Sequence, residues 1–98
     1  MNKLIALTIL ACVALPAQAS LELANKSKCM TCHQVDKKVL GPAFKEISAK
    51  YKGQKTAESM LTDSITKGSK GKWGSIPMPA QKVSPADAKA LSKWILTL

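Results

Sequence analysis

The chain is short, strongly basic and poor in aromatic residues. Its 98 residues carry a formal net charge of +9 at pH 7, and every basic side chain is a lysine. A chain of this length forms one small domain, whose apolar core supplies only a few kcal/mol of stability unless a staple such as a cofactor is added. The absence of arginine and of any nucleic-acid-binding motif argues against a nucleic-acid partner.

The N-terminus has the pattern of a cleavable export signal. A positively charged start precedes an almost unbroken apolar run over residues 4–15, and Ala17-Gln18-Ala19 is a small-x-small cleavage site. The apolar run is shorter than the roughly 20 residues that span a bilayer, so no stable membrane anchor is expected. We therefore predict a signal peptide over 1–19, a periplasmic location and one domain over 20–98. The alternative is lipoprotein processing at Cys12, whose preceding residues fit that pattern poorly.

A predicted helix over residues 21–28 leads into Cys29-Met30-Thr31-Cys32-His33, which is the C-x-x-C-H pattern of haem c attachment. Cys29 and Cys32 have the spacing to form thioethers with the two vinyl groups of one haem, and His33 follows directly as an axial ligand of the iron. Export agrees with this prediction, because haem is attached to c-type proteins outside the cytoplasm. A zinc site and a dithiol redox site are alternatives. Zinc usually takes four ligands, however, and a thioredoxin-like dithiol requires a βαβ pattern that the chain lacks.

Gly41 and Pro42 come shortly after the motif. Gly41 permits close approach of the backbone to a flat surface. A haem-ligating histidine needs an acceptor for its other ring nitrogen, and the carbonyl of Pro42 is the predicted acceptor for His33. The alternative is an ordinary turn before the next helix, which is compatible with that role.

Three further helices are predicted from hydrophobic periodicity and from their end signals. They span 43–52, 57–67 and the residues from Pro85 onward, with Thr56 and Ser84 as N-caps. The last helix is expected to pack on the first. The side chains expected on the buried faces, in chain order, are Leu21 and Ala24; Phe44, Ile47, Ser48 and Tyr51; Ala57, Met60, Leu61 and Ile65; and Ala88, Leu91, Ile95 and Leu98, flanked by Trp94.

The loop over 68–84 carries the second predicted iron ligand. Met78 lies between two prolines, which stiffen the backbone and orient the thioether, and an iron with one histidine ligand has an open sixth position. Met60 is a rival ligand, but its helical setting favours a core role. Trp73, in the same loop, either covers the haem edge and hydrogen-bonds a propionate or packs in the core.

Taken together, these patterns resemble the short bacterial class I cytochromes c of the cytochrome c-551 type. The resemblance covers nearly all of 20–98 and rests on five runs in the same order: 29–33 (CMTCH), 39–44 (VLGPAF), 67–74 (KGSKGKWG), 76–79 (IPMP) and 91–96 (LSKWIL). It implies an all-α class I cytochrome c fold, with four to five short helices around one covalently bound haem c.

The resemblance also implies a role for individual residues. Cys29 and Cys32 would carry the thioethers, and His33 and Met78 would be the axial ligands. Around them, Pro42 would accept a hydrogen bond from His33, Trp73 would contact a propionate, and Gln81 would lie near the methionine sulfur. Two positions depart from the family pattern. Ala80 stands where many relatives have a second proline, and Ser64 stands where some carry a basic residue near a propionate.

The function implied by the resemblance is electron transport rather than catalysis. We expect a soluble, monomeric periplasmic carrier that moves single electrons by outer-sphere transfer to a terminal reductase or oxidase, for example a nitrite reductase. The lysines either form a docking surface for an acidic redox partner or simply solvate the surface. The alternative function is a haem peroxidase or gas-binding cytochrome with a labile sixth ligand.

Overall fold

This computed structural model describes residues 16–98, with side chains described from residue 21 onward. Four α-helices and one 3-10 helix organise these residues. The elements, in chain order, are α1 (Pro16–Lys26), the 3-10 helix (Cys29–Thr31), α2 (Phe44–Tyr51), α3 (Ala57–Lys67) and α4 (Pro85–Ile95). Residues 16–98 contain no strand, only two isolated antiparallel bridges, so the all-α prediction is confirmed. The predicted signal peptide over 1–19 lies mostly outside the described residues. Within 16–98, no helix is long and apolar enough to cross a membrane.

The last helix, α4, is the centre of the core. It packs against α1, α2 and α3, which confirms the predicted contact between the first and last helices. Its apolar stripe is buried because Ala88, Leu91 and Ile95 recur on one face, and Trp94 is buried beside them. The buried apolar cluster comprises Ala24, Phe44, Ile47, Tyr51, Ala57, Leu61, Ile65, Ala88, Leu91, Trp94 and Ile95.

The short helix α2 is held by its apolar stripe. Phe44, Ile47, Ser48 and Tyr51 are all buried, as their i, i+3, i+4, i+7 spacing predicts. The Phe44 ring meets the Trp94 ring edge to face, with 5.4 Å between centroids and 72° between planes. Such a pair contributes about 0.5–1.5 kcal/mol beyond the area it buries. This contact fixes the start of α2, and with it the residues that precede α2, against α4.

The predicted buried face of α1 is partly wrong. Ala24 is fully buried, but Leu21 is 37% exposed, and Leu23 packs against the core instead. Successive residues of an α-helix are about 100° apart, so Leu23 and Leu21 point in nearly opposite directions around the axis. The buried face is therefore centred between Leu23 and Ala24. The helix also starts earlier than predicted, at Pro16, and ends at Lys26.

The two predicted N-caps behave differently. Ser84 has extended backbone angles, and its Oγ accepts a hydrogen bond from the Asp87 amide at 3.1 Å, so it caps α4 as predicted. Thr56 precedes α3, but its φ and ψ of −98° and 6° differ from the extended angles of a cap, and its side chain accepts no cap hydrogen bond. Its Oγ1 instead donates to the sulfur of Met60 at 3.3 Å. Thr56 therefore occupies the predicted N-cap position of α3, but its side chain does not cap the helix.

Candidate functional site

The C-x-x-C-H motif forms a tight turn shortly after α1. The turn begins at Lys28, whose backbone has a φ of 62°. This left-handed conformation is rare for residues other than glycine. The amides of Cys32 and His33 both donate to the carbonyl of Cys29, at 3.2 and 2.9 Å. This winding brings the two thiols and the imidazole to the wall of one cavity.

Cys29 and Cys32 are not joined in a disulfide, and each is partly buried. Burial raises the pKa of the Cys29 thiol, its own backbone hydrogen bond opposes the rise, and the neighbouring Cys32 adds to it. A raised pKa favours the neutral thiol, which is the form that suits an apolar cavity wall. Within the described residues, His, Cys, Asp and Glu side chains do not form a group of three or more that could hold a metal ion. The three motif side chains therefore do not converge as zinc ligands.

The imidazole of His33 is fixed from three sides. It is only 7% exposed, and its Nδ1 lies 2.7 Å from the carbonyl oxygen of Pro42. Since a carbonyl can only accept, Nδ1 must carry a proton, and in the neutral ring the lone pair is therefore on Nε2. The ring also stacks on Phe44, with 5.1 Å between centroids and 20° between planes. A Cβ added at Gly41 would lie 2.5 Å from His33 Cε1, so only glycine allows the backbone this close to the ring.

The residues around His33 are held by backbone hydrogen bonds from the loop that follows the motif. The carbonyls of Gln34 and Val35 accept from the amides of Phe44 and Lys45, at 2.9 and 3.0 Å. These amides belong to the first turn of α2 and have no partner within the helix, so the loop carbonyls satisfy them in place of a side-chain cap. This contact could not be predicted from the residue types, because any residue offers the same backbone carbonyl.

Met78 reaches the same cavity from the loop after α3. Its amide and carbonyl exchange hydrogen bonds with the carbonyl and amide of Ser69, at 2.7 and 2.9 Å. Gly68 makes this pairing possible, because it has a φ of 85° and because an added Cβ would lie 2.8 Å from the Met78 carbonyl oxygen. The Gln81 amide donates to the Ile65 carbonyl at 2.8 Å, which fastens the loop to the last turn of α3. The predicted bounds made Gly68 only the first residue of the loop after this helix, with no role in holding Met78.

One cavity of about 320 Å³ brings together all the residues predicted for the site. Cys29, Cys32, His33, Pro42, Trp73, Met78 and Gln81 line it. Its remaining wall is largely the helix core, including Phe44, Ile47, Tyr51, Leu61, Ile65, Leu91 and Ile95. The sequence predicted these side chains as core. They pack on one another and also form the apolar wall of the cavity. Ser64 also lines the cavity, whereas Met60 does not.

Two of the predicted residues have contacts of their own. Trp73 is about one-third exposed, and the ammonium of Lys50 lies 4.5 Å from its ring centroid. The side-chain amide of Gln81 donates to the Pro79 carbonyl at 2.8 Å. Each side chain therefore lines the cavity and also contacts another residue of the protein, Lys50 for Trp73 and Pro79 for Gln81.

The lining residues fit a covalently attached haem. Two thiols three positions apart suit its two vinyl groups, and Nε2 of His33 offers a lone pair because Nδ1 is already engaged. Met78 lines the same cavity, and a thioether is a group that can bind haem iron. The apolar side chains of α2, α3 and α4 supply a wall suited to a flat porphyrin.

Comparisons with known proteins agree with this fit. The family model described as Cytochrome c matches residues 18–98. Cytochrome c-552 from Nitrosomonas europaea is 55% identical over 83 residues, which cover 84% of this chain and 81% of that protein. Cytochrome c-551 from Pseudomonas denitrificans is 52% identical over 77 residues, which cover 79% of this chain and 94% of that protein.

Solved structures are similar as well. The crystal structure of wild-type Nitrosomonas europaea cytochrome c552 superposes with a TM-score of 0.78 at 54% identity, covering 80% of this chain and 98% of that one. The class 1 cytochrome MtoD from Sideroxydans lithotrophicus ES-1 superposes with a TM-score of 0.71 at 35% identity, covering 86% of this chain and 97% of that one.

Proposed function

Because this chain belongs to the cytochrome c family and carries one covalently attached haem c, we propose that it shuttles single electrons between redox proteins in the periplasm. Its relatives are small electron-carrier cytochromes, and electron transport is the function it shares with them.

We infer that His33 and Met78 are the axial ligands of the iron. The observation that carries this assignment is the hydrogen bond from His33 Nδ1 to the Pro42 carbonyl, because it leaves Nε2 as the nitrogen free to bind iron. Met78 lines the same cavity, while Met60 lies outside it and has its sulfur engaged by Thr56. Cys29 and Cys32 would form the two thioethers.

This ligand set determines the kind of reaction. When bound, haem c supplies an iron that gains or loses one electron at a time. If His33 and Met78 both bind the iron, they would leave no position for a substrate, so the transfer would be outer-sphere and the protein would be a carrier rather than an enzyme. A histidine–methionine pair raises the reduction potential, and the buried side chains Phe44 and Ile65 exclude water from the cavity wall.

We place Trp73 and Gln81 around these ligands. Trp73 lines the cavity at its exposed side, where its indole N–H would meet a propionate. Gln81 would lie beside the Met78 sulfur, although its side-chain amide already donates to the Pro79 carbonyl. Its effect on Met78 would then act partly through the backbone of the loop.

The periplasmic location rests on the pattern of the N-terminus. We propose that residues 1–19 are removed as a signal peptide and that 20–98 is the mature, monomeric domain, with no stable membrane anchor. Lipidation at Cys12 is the competing outcome, and the intact mass of the exported protein distinguishes the two.

The proposed partner is a redox protein with an acidic docking surface, such as a terminal reductase or oxidase. All positively charged side chains of the chain are lysines, and Lys28, Lys70 and Lys72 line the haem cavity itself. A cationic rim of this kind attracts an anionic surface and speeds encounter. Small, weak interfaces then let each complex dissociate quickly after transfer.

The test of the ligation is the replacement Met78→Ala in the haem-loaded protein. We expect its reduction potential to fall and its ferric form to bind azide, because the sixth position is opened. The matched control is Met60→Ala, which removes a methionine that does not line the cavity and should leave both properties unchanged. If Met78→Ala changes neither the potential nor azide binding, Met78 is not the ligand. Rapid carbon monoxide binding by the unmodified protein would instead favour the peroxidase or gas-binding alternative.

A further inference from the structure

Residues 70–77 form the tip of the loop that carries Met78, and few contacts hold this tip. All eight residues are exposed, and Gly71 and Gly74 have positive φ values of 79° and 108°. The base of the loop is closed by the hydrogen bonds between Ser69 and Met78. Within the tip itself, the described part of the chain shows no backbone hydrogen bond. The position of the tip therefore depends on its contacts with α2 and with the cavity that it lines.

Lys50, in the last turn of α2, makes such contacts with two successive residues of the tip. Its ammonium lies 4.5 Å from the centroid of the Trp73 ring and 3.4 Å from the Lys72 carbonyl oxygen. The ring of Tyr51 is 5.6 Å from the same ammonium. Among residues 21–98, the ion pairs are Lys67–Asp63 and Lys89–Glu58, so no carboxylate competes for Lys50.

We propose that Lys50 is a positioning residue for Met78, because it ties the loop tip to α2 and so favours the closed loop in which Met78 remains on the iron. This inference rests on the proposed function, in which Met78 is the axial ligand. Few residues separate Trp73 from Met78, and Pro77 among them has a fixed φ, so displacement of the tip is passed to the ligand. Loss of an exposed cation–π contact should raise the population of the open loop about two- to fivefold.

Three variants of the haem-loaded protein separate the contact from the charge. Lys50→Met removes the ammonium and keeps most of the aliphatic length. Lys50→Arg keeps a cation that can lie over the Trp73 ring. Lys45→Met removes the same charge from the same helix, and the structure gives Lys45 no hydrogen bond, ion pair or cation–π contact with residues 68–84.

Two measurements follow the loop in different ways. The first is the affinity of the ferric protein for azide, which reports how readily Met78 leaves the iron. The second is the rate of trypsin cleavage after Lys70 or Lys72, with the cut identified by mass spectrometry, which reports opening of the tip without reference to the iron. We expect Lys50→Met to increase both by about two- to fivefold. Lys50→Arg and Lys45→Met should remain near the unmodified protein in both.

Met78→Ala is included in the same azide series to separate two kinds of failure. If Met78→Ala raises the azide affinity and Lys50→Met does not, the tether is refuted while the ligation stands. An equal effect of Lys50→Met and Lys45→Met would assign the change to charge and would also refute the tether. If Met78→Ala leaves the azide affinity unchanged, the ligation is refuted, and the role of Lys50 falls with it.

Discussion

At the scale of single residues, the site depends on how firmly one imidazole is held. His33 has the Pro42 carbonyl at Nδ1, the Phe44 ring on one face and the backbone of Gly41 against its edge. These contacts set both the tautomer and the orientation of the ring before any ligand is considered. The sequence predicted the Pro42 contact from the chemistry that a ligating histidine requires. It did not predict the Phe44 stacking, because the helical spacing of Phe44 shows only that this side chain is buried.

Gly41→Ala tests how closely the ring is held. The new Cβ would lie 2.5 Å from His33 Cε1, so the ring or the loop must move. We expect the haem-loaded protein to lose about 1–3 kcal/mol of unfolding free energy, as overpacked sites do, and its reduction potential to change. Denaturant titration and voltammetry measure the two effects.

The control for this variant is Gly53→Ala. Gly53 has a φ of 88°, and a Cβ there would meet nothing within 4 Å. This control should therefore cost about 1–2 kcal/mol through backbone strain alone and leave the potential unchanged. An unchanged potential in Gly41→Ala would show that the contact with His33 does not orient the ligand.

At the scale of the elements, the helices were more predictable than their ends. The periodic stripes located α2, α3 and α4 because burial of a repeating apolar face is the main source of helix stability in proteins. End signals were less certain, because a cap requires particular backbone angles as well as a suitable side chain. Ser84 and Thr56 look equivalent in sequence, yet only Ser84 has the extended backbone from which its oxygen reaches the helix amides. The exposure of Leu21 has a similar cause, because two residues, Leu21 and Ala24, are too few to determine which side of α1 is buried.

The N-cap positions of α3 and α4, Thr56 and Ser84, provide a matched pair of substitutions. Ser84→Ala removes the hydrogen bond from the Asp87 amide and should lower the unfolding free energy by about 1 kcal/mol. Thr56→Ala removes no cap hydrogen bond and should cost less than about 0.5 kcal/mol, as surface substitutions usually do. Denaturant titration of both haem-loaded variants under one condition makes the comparison. Equal losses would show that the different cap geometries have no energetic consequence.

At the scale of the whole molecule, the site is an assembly of segments that are distant in sequence. The motif turn provides the thiols and His33, the loop before α2 provides Gly41 and Pro42, and the loop after α3 provides Met78. Sequence patterns identified each segment separately, and the family resemblance placed them around one haem. The contacts that hold the segments together were not predictable, because they are made by backbone groups. Examples are the Gln34 and Val35 carbonyls on the first turn of α2 and the Gln81 amide on the last turn of α3.

The cavity also explains how so small a chain sustains a core. The buried side chains of α2, α3 and α4 pack on one another on one side and line the cavity on the other. Covalently attached haem c supplies the apolar mass that this inner side requires. Stability and function are therefore coupled, since the group that exchanges electrons is also part of the core.

The most direct test of the account is a methyl NMR spectrum of the reduced, haem-loaded protein with its methionine methyl groups labelled. A methyl group held against a porphyrin face is shifted strongly upfield by the ring current. We predict one such signal, which disappears in Met78→Ala and persists in Met60→Ala. A spectrum without a strongly shifted methionine signal, or one whose shifted signal belongs to Met30 or Met60, would contradict the account.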